Sequence, residues 1–165
     1  FSDIIMSMVE IHNSVEKVYE ENKETLEIFE CLDEFSDTQN FCDHYGFDIE
    51  DSCNAILIKA KKPEEFYAMF CVLGANRLDV NHKAKEAMGA KRVSFASREE
   101  AETVTGQIYG GISPLGLPEN VKVYMDKNVI DREKLFIGAG NRVSKFFLSP
   151  EALIELSGAT VLDLT

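Results

Sequence analysis

The chain lacks any uncharged apolar run approaching the roughly twenty residues of a membrane-spanning helix, so a membrane partner is not expected. It lacks low-complexity tracts, which excludes a chain dominated by disorder. It also lacks a leader made of basic residues, an apolar core and a small-residue cleavage site, while Phe1 in place of Met points to a trimmed N-terminus. Its cysteines, Cys31, Cys42, Cys53 and Cys71, form no C-x-x-C pair and no Cys/His cluster at zinc spacing. They read as reduced, mostly buried thiols of a cytoplasmic protein, and no metal or cofactor is expected.

An excess of basic residues is missing as well. The net charge of −12 argues against a general nucleic-acid binder, and no DNA partner is expected. The charge is uneven. Residues 1–51 carry 15 Asp+Glu against 2 Lys+Arg, a net of −13, whereas residues 52–165 carry 14 against 15, a net of +1. Any RNA contact has to be local, near Lys59, Lys61, Lys62, Arg77, Lys83, Lys91, Arg92, Arg142 or Lys145; solvated surface accounts for most of these.

What is present is one domain's length, 165 residues at 45% apolar composition, enough for a core without staples. Ile4, Met8, Ile11, Val15 and Val18 recur at helical spacing and predict an amphipathic N-terminal helix over the first twenty residues. Its stripe must cover the domain itself or a second copy of the helix, so a homodimer through that helix is one expectation. A purely structural dimer would use only this extension. Residues 1–22 are taken as the extension and 23–165 as the main domain. Short strands are expected at 26–29, 55–60, 66–73, 91–95, 121–125, 134–137, 143–148 and 159–162. Capping patterns at Ser36–Gln39 and Ser97–Glu100, Asp79 as a cap, and Ser149-Pro150 place short helices between them. The order is irregular, which predicts an α+β domain around a curved mixed sheet or partial barrel rather than a doubly wound sheet.

The run Val104–Gly116 holds four glycines and a proline among good strand and helix formers. Gly110-Gly111 leaves bare main chain able to approach a ligand and offer N–H groups, although a lone Gly-Gly is most often a surface turn. Gly138-Ala139-Gly140 begins like a dinucleotide fingerprint but lacks the third glycine and precedes a strand. Ser113 does not sit in a nucleophile elbow, because the second glycine comes one residue late.

Three segments together resemble the YbaK/ProX aminoacyl-tRNA deacylases. Arg77-Leu78-Asp79-Val80 through Lys85-Glu86-Ala87-Met88-Gly89-Ala90-Lys91-Arg92-Val93 is similar to their LD…AK…GAK segment. Thr105-Gly106 through Gly110-Gly111-Ile112-Ser113-Pro114-Leu115-Gly116 is similar to their TG…GGISPLG loop, and Leu135–Gly140 with Leu148-Ser149-Pro150 to their last third. The resemblance covers residues 25–164. It implies a fold related to the editing insertion of bacterial prolyl-tRNA synthetases and hydrolysis of the ester joining a wrong, small amino acid to its tRNA. The partners implied are the 3′ end of an aminoacyl-tRNA and a synthetase.

That chemistry needs a positioned water, donors aimed at the developing oxyanion, and a pocket that selects by size. The resemblance assigns Gly110, Gly111 and Ile112 to the donors and Ser113, Gly138, Ala139 and Gly140 to the substrate pocket. It also exposes three departures. Asn54 stands where the family has a lysine, Lys145 where it has an aspartate, and Cys31 where it has a tyrosine. The expectation is that Lys145 takes over the missing positive charge at the catalytic centre, with Asn54 and Cys31 at substrate-binding positions. The rival is a binding module that keeps the pocket and has lost turnover.

Overall fold

Strand β3 (Phe66–Leu73) is buried along most of its length, and its neighbours follow from that. Met69, Cys71 and Leu73 face one apolar cluster while Ala68, Phe70 and Val72 face another, so the strand is covered on both sides. In the computed structural model, which describes residues 9–165, β3 is the centre of a five-stranded sheet. Its strands are β2 (Cys53–Lys62), β4 (Arg92–Phe95), β5 (Lys122–Asp126) and β8 (Thr160–Leu162), in the order β4-β2-β3-β5-β8. The β2 pairings are antiparallel; β3–β5 and β5–β8 are parallel. A second, antiparallel sheet has the order β1-β7-β6, from β1 (Glu27–Glu30), β6 (Leu135–Gly138) and β7 (Ser144–Leu148).

The expected α+β class holds, but the single curved sheet does not. Two open sheets face a common core and, among the described residues, touch in the ladder sense only through one bridge, Ser52 to Phe136. The strands of the smaller sheet are four or five residues long, too short to continue the closure of a barrel.

Among the described residues five short α-helices fill the gaps: α1 (Glu16–Glu21), α2 (Thr38–Tyr45), α3 (Lys85–Met88), which continues a π-helical turn at Val80–Ala84 capped by Asp79, α4 (Arg98–Thr105) and α5 (Pro150–Ser157). Their ends follow local chemistry. Ser97 and Glu100 form a reciprocal capping box, and Ser149 caps α5 with Pro150 in its first turn. At α2 the cap is Asp37, whose side chain accepts the Asn40 N–H, and not Ser36 as the sequence pattern predicts. Ser36 instead ends a preceding 3-10 turn, which frees both its hydroxyl and its carbonyl for long-range contacts. Among the described residues no helix is long and apolar enough to cross a membrane.

The N-terminal helix is shorter than its stripe predicts. Ile4 and Met8 lie outside the described residues; residues 10–12 are not helical, 13–15 form a 3-10 turn, and α1 starts only at Glu16. His12 explains the late start, because its imidazole accepts the Ser14 N–H as a cap. Val15 and Tyr19 are buried in the core between the sheets, Tyr19 stacking on Phe146 at 6.0 Å. The described part of the stripe therefore covers the domain itself.

Two expectations follow. Burying side chains of this size contributes about 1.5–3 kcal/mol each, so deleting residues 1–22 lowers domain stability by about 3 kcal/mol or more, read by urea denaturation. The second concerns Glu100, which bonds Lys59 Nζ at 2.6 Å and the Tyr67 hydroxyl at 2.9 Å and is held down to about 2, chiefly by Lys59 and then by the Ser97 N–H. A carboxyl depressed on folding stabilises fully above its ordinary value near 4.5, and that contribution fades as pH falls toward 2. Melting curves of Glu100→Gln between pH 5 and pH 2 should show a shallower loss of Tm than the parent.

Candidate functional site

Gly111 and Gly140, 29 residues apart in sequence, are hydrogen-bonded to each other. The Gly140 N–H donates to the Gly111 carbonyl at 2.7 Å, and the Ile108 N–H donates to the Gly140 carbonyl at 2.9 Å. The two glycine-rich loops thus form one backbone unit. A Cβ on Gly111 would overlap the Asn141 carbonyl, and one on Gly138 would overlap the carbonyls of Gly111 and Ile112. Only residues without a side chain allow this approach.

That unit walls a cavity of about 470 Å³. Tyr109, Gly110, Gly111 and Ile112 form one side, and Phe136, Ile137 and Gly138 the adjoining one. Cys53, Asn54, Ala55 and Ile56 of β2 close the third side, and Ser36, Asp37 and Thr38 at the start of α2 the fourth, with Arg142 and Lys145 completing the lining. The size falls within the range of small-molecule sites. A second cavity of about 500 Å³ lies beside α1 and β1, lined by Tyr19, Lys23, Leu26 and Phe147 among others, and contains none of the converging loops.

Lys145 supplies the unusual charge. Along β7, Ser144 and Phe146 share one face; Lys145 and Phe147 take the other. The β6 residue in register with Lys145 is Gly138, so no side chain competes for its space from that strand, while Phe29 is its register partner on β1. The lysine is only 6% exposed, its Nζ donates to the Ser36 carbonyl at 3.0 Å, and it sits 5.1 Å from the centre of the Phe41 ring. It makes no ion pair among the described residues. Burial holds its ammonium below the ordinary lysine value; Arg142 pushes the same way and Asp37 opposes. The cavity thus has a cation at its lining without a neutralising carboxylate bonded to it.

The remaining residues separate cleanly. Asn54 is exposed at the wall, its Oδ1 accepting the Ser52 hydroxyl at 3.3 Å. The Gly111 N–H closes a turn on the Ile108 carbonyl at 2.9 Å, whereas the Gly110 and Ile112 N–H groups have no backbone partner among the described residues. Four residues with sequence-derived substrate roles do not line the cavity. Cys31 is buried in the aromatic cluster with Phe41, Phe136 and Phe147, its thiol 3.6 Å from the Arg142 carbonyl and pushed up by burial. Ser113 is fully buried; its N–H donates to Gln107 Oε1 and its hydroxyl accepts the Leu115 N–H. Ala139 is packed in the core, and Gly140 faces His12, where a Cβ would come within 2.9 Å of the His12 Cβ. These positions build the loops from behind.

The sequence reading missed Ser36, Asp37, Thr38, Tyr109 and Phe136 as cavity residues and placed Arg142 only among general RNA-contact bases. Arg142 bonds Asp33 through Nε at 3.0 Å and through its terminal nitrogen to the Asp33 carbonyl at 3.2 Å, bracing the mouth. Tyr109 is 48% exposed, its ring 5.6 Å from the Arg98 guanidinium and its N–H bonded to Glu102 Oε2 at 2.8 Å. An exposed aromatic beside a glycine pair was the available signal for Tyr109; nothing local marked Ser36.

Comparison with known proteins gives consistent results. Residues 33–156 match the aminoacyl-tRNA editing domain family. EbsC of Enterococcus faecalis, a candidate Cys-tRNA(Pro)/Cys-tRNA(Cys) deacylase, is 30% identical over 92 residues, which is 56% of either chain. A proline–tRNA ligase of Nautilia profundicola is 33% identical over 106 residues, 63% of this chain and 18% of the ligase. The chain therefore spans about half the length of the first relative and under a fifth of the second. The solved structure of a candidate trans-editing enzyme for prolyl tRNA synthetase superposes with a TM-score of 0.79 over 94% of this chain and 99% of that one, at 23% identity, and shares the fold.

The latch gives a direct test. Gly111→Ala forces Cβ against backbone and should lose about 2 kcal/mol or more. Gly46→Ala, at φ +79 with nothing within 4 Å, loses only about 1 kcal/mol from its left-handed backbone. Equal losses in urea denaturation would mean that the loop-to-loop contact contributes nothing of its own.

Proposed function

Because the chain belongs to the aminoacyl-tRNA editing domain family, we propose that it hydrolyses the ester of a misacylated tRNA carrying a small amino acid, acting in trans in the cytoplasm. The observation that carries the reading is the cavity itself: bare backbone on two latched loops in one lining with a buried ammonium that has no carboxylate bonded to it. In the reaction a water oxygen bonds to the ester carbonyl carbon, the bond from that carbon to the ribose oxygen breaks, and the proton leaving water goes to the ribose oxygen. The carbonyl oxygen carries negative charge in between. The Gly110 and Ile112 N–H groups are the donors for it, and the Lys145 ammonium stabilises the same charge from the lining, where low polarity strengthens the effect.

The unpaired 3′ end supplies the rest of the fit. A terminal base stacks on the exposed face of Tyr109, whose ring Arg98 already supports, and the ribose hydroxyls face Asn54. Ile56, Ile112, Phe136 and Ile137 leave an apolar recess for the side chain, which favours alanine, serine, threonine or cysteine. The relatives named for tRNA(Pro) and for proline ligation make mischarged tRNA(Pro) the first substrate to try and prolyl-tRNA synthetase the first partner. A non-catalytic binding module is the second reading. It is favoured by one observation: Asn54 offers a neutral amide, bonded only to Ser52, at the position of the family lysine.

A panel of charged tRNAs separates the two. The deacylase releases free amino acid from at least one of them; the binding module protects the ester without release. On the substrate turned over, single-turnover rates should fall more than about tenfold for Lys145→Ala and for the volume-matched Lys145→Met, with circular dichroism unchanged. Rates within about twofold of the parent, under roughly 0.5 kcal/mol, would remove Lys145 from the mechanism and leave the backbone donors and Asn54.

A further inference from the structure

The far end of β2 carries a cluster of cations that the catalytic reading does not use. Lys61, Lys62, Lys91 and Arg92 are all exposed. Lys62 and Arg92 are register partners across β2 and β4, and the Lys91 N–H donates to the Lys62 carbonyl at 2.8 Å, so the four residues meet at one end of the β2–β4 ladder and make it a cationic platform. A bulge between Ala60 and Lys62 twists that end of the ladder. None of the four is in an ion pair among the described residues, whereas Lys59, Lys83, Lys127, Arg132, Lys134 and Arg142 all are. Even the neighbouring Glu65 is turned to Lys59, at 3.4 Å. In a chain of net charge −12, these four cations, none in an ion pair among the described residues, form a local exception.

The opposite side of the cavity is its electrostatic reverse. Residues 33–51, which contribute Ser36, Asp37 and Thr38 to the lining, contain seven Asp+Glu and no Lys or Arg. A polyanion entering the cavity by one end is repelled along that side and drawn along the other. Strand β2 supplies the track. Cys53–Ile56 line the cavity, and Lys62 lies six residues further, about 20 Å at the rise of an extended strand.

From this we infer that the Lys61/Lys62/Lys91/Arg92 platform seats the phosphate backbone of the RNA duplex that adjoins the unpaired 3′ end held in the cavity. The inference rests on the deacylase reading for the occupant of the cavity; the platform then selects a full acceptor stem over its bare 3′ terminus. Phosphate contact of this kind positions without reading sequence, and releases counterions as it forms.

The experiment compares the parent with K62Q/R92Q and K61Q/K91Q, using K127Q/K134Q as a control that removes equal charge elsewhere. Binding of an uncharged stem-loop RNA ending in an unpaired 3′ CCA is followed by fluorescence anisotropy between 50 and 200 mM salt, beside a DNA duplex of equal length. Turnover is followed on the aminoacylated stem-loop and on an aminoacylated CCA trinucleotide. The platform variants should bind the RNA about tenfold or more weakly, with a salt slope shallower by about 1.5 for two lost contacts. They should raise KM on the stem-loop without changing kcat, and turn over the trinucleotide like the parent. Unchanged RNA affinity, an equal loss on the trinucleotide, an equal loss for the control variant, or equally tight binding of the DNA duplex would each overturn the inference. Failure of the deacylase reading looks different: neither aminoacylated substrate is turned over by the parent, while its affinity for the stem-loop and the salt slope remain.

Discussion

Everything at the cavity depends on two stretches of main chain lying closer than side chains permit. The hydrogen bonds between Gly111 and Gly140, and between Ile108 and Gly140, lock the loop after α4 to the turn between β6 and β7. Gly138 lies against the carbonyls of Gly111 and Ile112 in the same contact. This fixes the direction of the Gly110–Ile112 backbone and brings β6 beside it, so the wall is made of peptide groups rather than of rotamers. Peptide dipoles held in this way need no reorganisation when charge develops beside them, which is the property an ester-hydrolysing site requires.

Lys145 is the second constraint, and it is an expensive one. A lysine held almost out of water with a carbonyl and an aromatic face as partners is poorer in compensation than one paired with a carboxylate. Its lowered pKa has the sign of a destabilising group: below that value the folded protein must keep a buried charge, and the penalty is relieved only as pH rises toward the ordinary lysine value. The surroundings limit the cost. Gly138 leaves room for the stem, Phe41 offers its ring, and the early end of the 3-10 turn before α2 presents the Ser36 carbonyl.

How much of this could be read from residues alone varied with the range of the interaction. Strands β1 to β8 sit within one or two residues of their expected limits, because alternation and flanking turns are local. The caps at Asp79, Ser97 and Ser149 are equally local and stand as expected. Ser36 failed because Asp37, one residue later, competes for the same cap, and the winner is decided by the turn that precedes it. The N-terminal stripe failed for a related reason: His12 caps a later start, which periodicity does not register. At the cavity, Gly110, Gly111 and Gly138 were legible through their match to a family pattern, and Lys145 through its departure from that pattern. Ser113 matched the same pattern and Cys31 took the place of a pattern residue, yet both lie behind the wall, and no spacing rule separates a residue on a surface from the one supporting it. Tyr109 and Arg142 owe their places to partners at Arg98, Glu102 and Asp33, contacts that only the folded chain brings together.

The route by which the chain brings its cavity together has its own consequence. Strands β2 and β3 pair across a connection of three residues and can form early, but the cavity draws on residues 36–38, 52–56, 109–112, 136–138, 142 and 145. Closing β1 on β7 joins Glu30 to Ser144, and the Ser36 carbonyl meets the ammonium 109 residues later. Contacts of such separation come late on a folding pathway. On a ribosome, the β2–β3–β4 platform has emerged well before β7 is made, so the half-built protein presents its cations with no cavity beside them. On the proposed reading, discrimination between a whole stem and its terminus is a property of the completed chain, acquired only when the last third has docked.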